Sequence, residues 1–391
     1  MTNNHEMTEL SEKEFLTIKN HRFSSRKAYD YINSKLPLRN FGETLIRCSG
    51  EIGKGEDGKA RVKKIHTDRF CEYNPDMSRD NIAKKISGWL SGKYKPSDRE
   101  SYLQICFALE MDEDTANNFL SISDETGFHY RNPRELAYVF ALRTKMDYQS
   151  ALKFYEALEP LPDDKSEKEN GELKFTETVY NDFYRVSTAE EFYEFYNSNK
   201  KYLGTLHNTA YHYMMEFIKK LKEPDEELFD LFGKDDKEGK SQRWSIETVT
   251  EKYLRMNVPY GTGNIKASNV SKAIKQYWPS VTTMKLMCSK AEDVKRKVLI
   301  LLFLVTEGLI DDANWPDIAD ENALTDEELF EENFNRISIM LIDCGMAPPD
   351  PRNVFDWVAL FALKMNNTAA MSEEMEKLLE KIFSEESQAD L

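Results

Sequence analysis

The residues whose types and spacing suggest a chemistry lie in one short stretch, Ser78 to Pro96, which reads SRDNIAKKISGWLSGKYKP. It holds Arg79, Lys84, Lys85, Lys93 and Lys95. Cationic groups on the front of a short helix can neutralise phosphates and reach base edges. The back of that helix is written in the same stretch. Ile82, Ile86, Trp89 and Leu90 fall at i, i+4, i+7 and i+8, one face of an α-helix. Ser78 is a good N-cap, Gly92 can form a left-handed C-cap, and Pro96 cannot continue the helix.

Other constellations carry less. Gly53 to Lys59 satisfies G-x-x-x-x-G-K, the opening of a phosphate-binding loop. Ala60 stands where a magnesium-binding hydroxyl is needed, and Glu56 and Asp57 set carboxylates where phosphates would sit. Ser49 to Lys59 therefore reads as a polar surface loop. His207 and His212 are five apart and share no helical face, and no HExxH, GxSxG or dinucleotide fingerprint occurs. The acidic cluster Asp311, Asp312, Asp317, Asp320 and Glu321 lacks the spacing of a calcium loop and reads as solvated. Arg131 and Arg352, each followed by asparagine at a helix start, suit either phosphate binding or the capping of a neighbouring helix. His129 reads as structural. No enzyme, cofactor or metal site is expected.

Composition agrees with a globular protein: 391 residues, 40% hydrophobic and 31% charged. The net charge of −16 excludes general affinity for polyanions, but its distribution is uneven. From Lys35 to Arg99 there are 15 Lys/Arg against 9 Asp/Glu, a basic segment on an acidic body. Such a dipole orients the basic face toward a polyanion. Five dispersed cysteines, with no CxxC pair, signal neither disulfides nor zinc. The N-terminus lacks the pattern of a signal peptide, and the longest apolar run, Val298 to Val305, is too short to span a bilayer. A bacterial cytoplasmic protein is expected, without membrane contact.

The elements that must position the basic stretch read as helices, with one segment left open. Residues 1–24 read as a polar segment, either frayed or a short amphipathic helix. Ser25 to Leu36 is a helix stopped by Pro37, and Phe41 to Cys48 is helix or strand. In Arg61 to Tyr73, Val62, Ile65 and Phe70 are expected inward, with Arg61, Lys63, Lys64, His66 and Arg69 outward. Tyr102, Ile105, Cys106 and Leu109 mark the next buried stripe, followed by Ala116, Phe119 and Leu120. A helix from Asn132 or Pro133 and another from Tyr148 to Ala157 pack together. Residues 159–173 form a charged linker. Phe192, Phe195 and Tyr196 read as an aromatic core, and Lys295 to Thr306 as the central helix of a second core. Glu373 to Phe383 is the last helix. The expected fold is all-α, with a helix-turn-helix-like domain at 25–158 and an acidic helical domain at 174–391.

The second domain echoes the first. Asn81 to Trp89 resembles Asn269 to Tyr277, and Arg131 to Arg143 resembles Arg352 to Lys364, in the same order. A duplicated helical unit is the natural reading.

The run from Ile86 through Trp89, Gly92 and Pro96 to Ala108 and Leu109 resembles the second half of a Cro/CI-type helix-turn-helix domain. In that family the helix ending at Trp-x-x-Gly lies in the major groove of double-stranded DNA. The resemblance implies that Arg79, Asn81, Lys84, Lys85 and Ser87 face bases, and that Lys93, Tyr94 and Lys95 face phosphates. It implies a transcriptional regulator whose acidic C-terminal domain serves a homodimer or a protein partner. The alternative is a protein-binding adaptor on the same scaffold. The long acidic half favours it, as does Gly88, which costs a helix interior about 1 kcal/mol relative to alanine.

Overall fold

A computed structural model describes residues 9–51, 53–124, 126–161, 176–204, 208–222, 244–259, 268–306, 325–365 and 368–388. Among these there are 19 α-helices and no β-strand; one isolated bridge joins Thr126 and Met346. The all-α expectation holds. The segment expected to be a linker lies mostly outside the described residues, as do the acidic cluster at 311–321 and His207.

The chain divides into two compact units: Arg39–Asn208 with Asp343–Ala347, and Met1–Leu38 with Thr209–Ile342 and Pro348–Leu391. These boundaries differ from those that composition suggests. Phe183, Phe192, Phe195 and Tyr196 belong to the same apolar core as Trp89 and Phe140, so the two α-helices between residues 174 and 208 complete the first unit. Phe192 lies 5.2 Å from Phe140, ring centre to ring centre.

The first unit runs α3 (Phe41–Cys48), α4 (Gly55–Tyr73), α5 (Arg79–Leu90), α6 (Arg99–Ala108), α7 (Glu113–Asp124), α8 (Pro133–Arg143), α9 (Tyr148–Glu156), α10 (Thr176–Tyr184) and α11 (Ala189–Asn199). α4 begins at Gly55, inside the stretch expected to be a loop. Glu56 and Asp57 in its first turn favour that start, where the helix dipole is positive, and Glu56 pairs with Lys59 at 2.9 Å. The inward set of α4 also differs from expectation. Ile65 is 42% exposed, whereas His66 is fully buried, with Nδ1 at 2.8 Å from the Val62 carbonyl.

The second unit holds α1 (Glu9–Asn20), α2 (Ser25–Ser34), α12 (Asn208–Lys222), α13 (Ile246–Val249), α14 (Asn269–Lys275), α15 (Val281–Cys288), α16 (Arg296–Thr306), α17 (Asp326–Asp343), α18 (Val354–Ala362) and α19 (Thr368–Gln388). Every residue of α16 is buried, which fits its nearly unbroken apolar sequence. Of the two readings of residues 1–24, the short amphipathic helix is the one observed: it is α1, whose Ile18 is fully buried. Lys364 donates to the carbonyls of Ile18, Lys19 and His21 at 2.8, 2.9 and 2.9 Å and so caps the C-terminal end of α1.

One arrangement occurs in both units. In the first, Arg99 opens α6 and grips Glu135 of α8 at 2.8 and 3.2 Å, while the His129 amide donates to Glu135 Oε2 at 2.9 Å. In the second, Arg296 opens α16 and grips Asp356 of α18 at 2.8 and 2.9 Å, and the Asp350 amide donates to Asp356 Oδ2 at 2.8 Å. Asn132 caps α8 and Asn353 caps α18. The arginines that precede them are buried and reach carbonyls, Arg131 that of Tyr202 at 3.0 Å and Arg352 that of Pro37 at 2.9 Å. Burial lowers the Arg131 pKa to about 10. Burial pushes the Glu135 carboxyl up, but the charges of Arg99 and His129 outweigh it and hold it down at about 2.

Candidate nucleic-acid interface

Helix α5 is fixed at both ends and along its back. The Ser78 hydroxyl accepts from the Asn81 amide at 3.4 Å, and Ile82, Ile86 and Trp89 are buried. The C-terminus is a Schellman motif: Gly92 N donates to Trp89 O and Lys93 N to Gly88 O, each at 3.0 Å. Gly92 sits at φ +68°, and a Cβ there would lie 2.4 Å from the Asn40 side-chain amide. Asn40 in turn caps α3, accepting from the Gly42 amide at 2.8 Å. A Cβ on Gly42 would meet the Leu90 carbonyl at 2.3 Å, so the start of α3 lies against the end of α5. Trp89 is edge-on to Phe70 at 5.5 Å and to Phe41 at 6.4 Å.

The eight candidate residues fall into two groups. Five have internal partners. Arg79 pairs with Asp68 of α4. Lys85 donates to Ser101 Oγ at 3.1 Å and lies 5.1 Å from the Trp89 ring centre. The Ser87 hydroxyl donates back to Ala83 O at 2.7 Å, and Lys95 reaches Ser123 O at 3.5 Å. Tyr94 folds back onto α5, its hydroxyl 3.3 Å from Lys84 O. The other three, Asn81, Lys84 and Lys93, are exposed, and among the described residues neither lysine has an ion-pair partner. Arg79 remains exposed despite its pairing, and an exposed ion pair contributes only about 0–1 kcal/mol.

Much of the basic segment is locally compensated. Lys54 and Arg61 share Glu51 at 3.2 and 2.9 Å, and Arg69 contacts Glu72 and Glu110. Lys63 and Lys64 of α4 are exposed.

Two residues shape this face in ways the sequence did not show: Asp68 was not singled out, and Gly88 was marked only as a cost to the helix. Asp68 holds Arg79, and Gly88 admits the Tyr94 ring, because a Cβ at Gly88 would fall 2.1 Å from Tyr94 Cζ. No residue pattern announces either, since both contacts depend on how the segments fold back on α5.

The corresponding helix of the second unit, α14, keeps the Ser cap at Ser268 and buries Val270 and Ile274. It ends earlier: Tyr277, which stands where the similar stretch of the first unit has Trp89, is 47% exposed at φ +59°. Lys297 donates to the carbonyls of Ala273, Ile274 and Gln276 and closes that helix end.

Comparison with protein-family models, curated proteins and solved structures finds no match to this chain. No helix among the described residues is long and apolar enough to cross a membrane.

Proposed function

We propose that the unit of residues 39–208 binds DNA through the outward face of α5 and the segment that follows it, as a cytoplasmic transcriptional regulator. The observation that carries this reading is the exposed set Asn81, Lys84 and Lys93 on a rigidly capped helix. Lys84 and Lys93 supply phosphate contacts, and Asn81 is positioned in the first turn to meet a base edge. Arg79 joins them when phosphate replaces Asp68. Lys85 and Ser87 have little part in base reading on this account, because their polar groups are already bonded within the unit. The other unit, acidic overall, serves dimerisation or a protein partner.

The test is fluorescence polarisation on genomic duplex fragments at several salt concentrations. Lys84→Glu with Lys93→Glu is expected to weaken binding and to flatten the log–log salt slope by about 0.9 for each lysine–phosphate contact removed. Absence of salt-sensitive binding by the unaltered protein overturns the reading.

A second reading is favoured by the internal bonding of five candidate residues: α5 is part of a protein-binding adaptor. A protein partner that co-purifies stoichiometrically without nucleic acid, and survives both lysine substitutions, supports the adaptor instead.

A further inference from the structure

The Tyr94 ring lies flat on α5. The distances from an ideal Gly88 Cβ to Tyr94 Cζ, Oη and Cε1 are 2.1, 2.3 and 2.4 Å. Cζ is surrounded by three in-plane neighbours, so a point nearer to Cζ than to its bonded atoms lies over the face of the ring. One face of Tyr94 therefore covers Gly88. The hydroxyl is tethered to the Lys84 carbonyl, and the residue is still 45% exposed. The glycine that weakens this helix is the residue that lets an aromatic ring lie against its backbone.

We propose that Tyr94 is a stacking platform for an unpaired nucleobase, so that the nucleic acid taken at this site is single-stranded or locally opened. The inference rests on the DNA-binding reading above and specifies its ligand. A ring held by one face and open on the other loses little freedom when a base stacks on it. Base–aromatic stacking is tolerant of sequence and works together with nearby cations that follow the backbone. Lys84, whose carbonyl receives the phenol, and Lys93, next in the chain, are those cations. Asp80, one turn before Lys84, is the acid on the same face and directs the phosphates toward Lys93. A duplex offers Tyr94 no base face except at its ends, because its bases are stacked on one another.

The full-length protein is titrated with a fluorescein-labelled twelve-nucleotide mixed-sequence DNA, as a single strand and as the matching duplex. Single-strand binding is expected to be tighter. Tyr94→Ala should weaken it roughly 5- to 150-fold, and Tyr94→Phe should hold it within about twofold, since the ring and not the hydroxyl stacks. Gly88→Ala is the second variant. It should lower single-strand affinity like Tyr94→Ala while far-UV circular dichroism keeps full helix content, because alanine favours the helix but displaces the ring. If the duplex binds as tightly as the single strand and Tyr94→Ala changes neither, this inference fails while the DNA-binding reading stands. If neither oligonucleotide binds, both fall.

Discussion

Single residues in this protein act through where their polar atoms end up. His66 is the clearest case. Burial depresses its pKa from 6.5 to about 4, only partly offset by its hydrogen bond to Val62. Below pH 6.5 the unfolded chain takes up a proton that the folded unit refuses. The stabilisation is complete above about pH 6.5 and declines as pH falls toward 4, by up to about 3 kcal/mol. Urea denaturation at pH 7 and pH 4 should therefore cost the natural protein about 3 kcal/mol more than His66→Leu; equal losses would mean that His66 is not buried neutral. Two glycines make a matched pair. Gly50 and Gly92 share a left-handed backbone, but a Cβ at Gly50 meets nothing, whereas one at Gly92 strikes Asn40. Gly50→Ala should cost about 1 kcal/mol of backbone strain. Gly92→Ala should cost about 2, because it also disturbs the cap of α3, and thermal melting compares the two.

At the scale of elements, the recurrent arginine–acid grip joins an apolar helix to an Asn-capped one. The Arg296–Asp356 pair is nearly sealed from solvent, so Asp356→Ala leaves a buried guanidinium unpaired and should cost about 3–5 kcal/mol in equilibrium unfolding. Arg296→Met with Asp356→Leu should cost much less, since no buried charge is stranded. The residue after each arginine is chosen for its surroundings: Glu100 accepts from Tyr138 and Tyr148 at 2.8 and 2.7 Å, while Lys297 serves the end of α14. Much of this was legible in the sequence. The helices follow from apolar spacing and from Ser and Asn caps, and the Arg-Asn echo marks positions with the same structural role. What periodicity could not reveal was the exchange of Ile65 and His66. An apolar stripe is inferred from hydrophobicity, while an imidazole that bonds its own helix can occupy the core. For the candidate site the helix was legible and the availability of its cations was not, because Ser101, Asp68 and Ser123 approach α5 from elsewhere in the chain.

For the whole molecule, the chief departure from the sequence reading is that α1 and α2 belong with the C-terminal helices. Ser11 bonds Asp350 at 3.0 Å, and the Phe15 ring packs at a tilt against those of Phe330 and Phe334. Deleting residues 1–24 removes part of a core rather than a decoration. Amide hydrogen exchange should quicken in Val354–Ala362 of the shortened protein while Pro133–Arg143 is unchanged; unaltered exchange in both would contradict the packing of α1.

The cap on α1 also has a consequence in time. The carbonyls of Ile18, Lys19 and His21 wait for an ammonium group some 345 residues downstream. At translation rates of about 5–20 residues per second, α1 is without that partner for roughly 20 to 70 s. During this interval the apolar side of α1 is open to the ribosome surface and to chaperones, and the unit of residues 39–208 emerges almost entire. The unit of residues 39–208 is thus complete before α1 meets its partner.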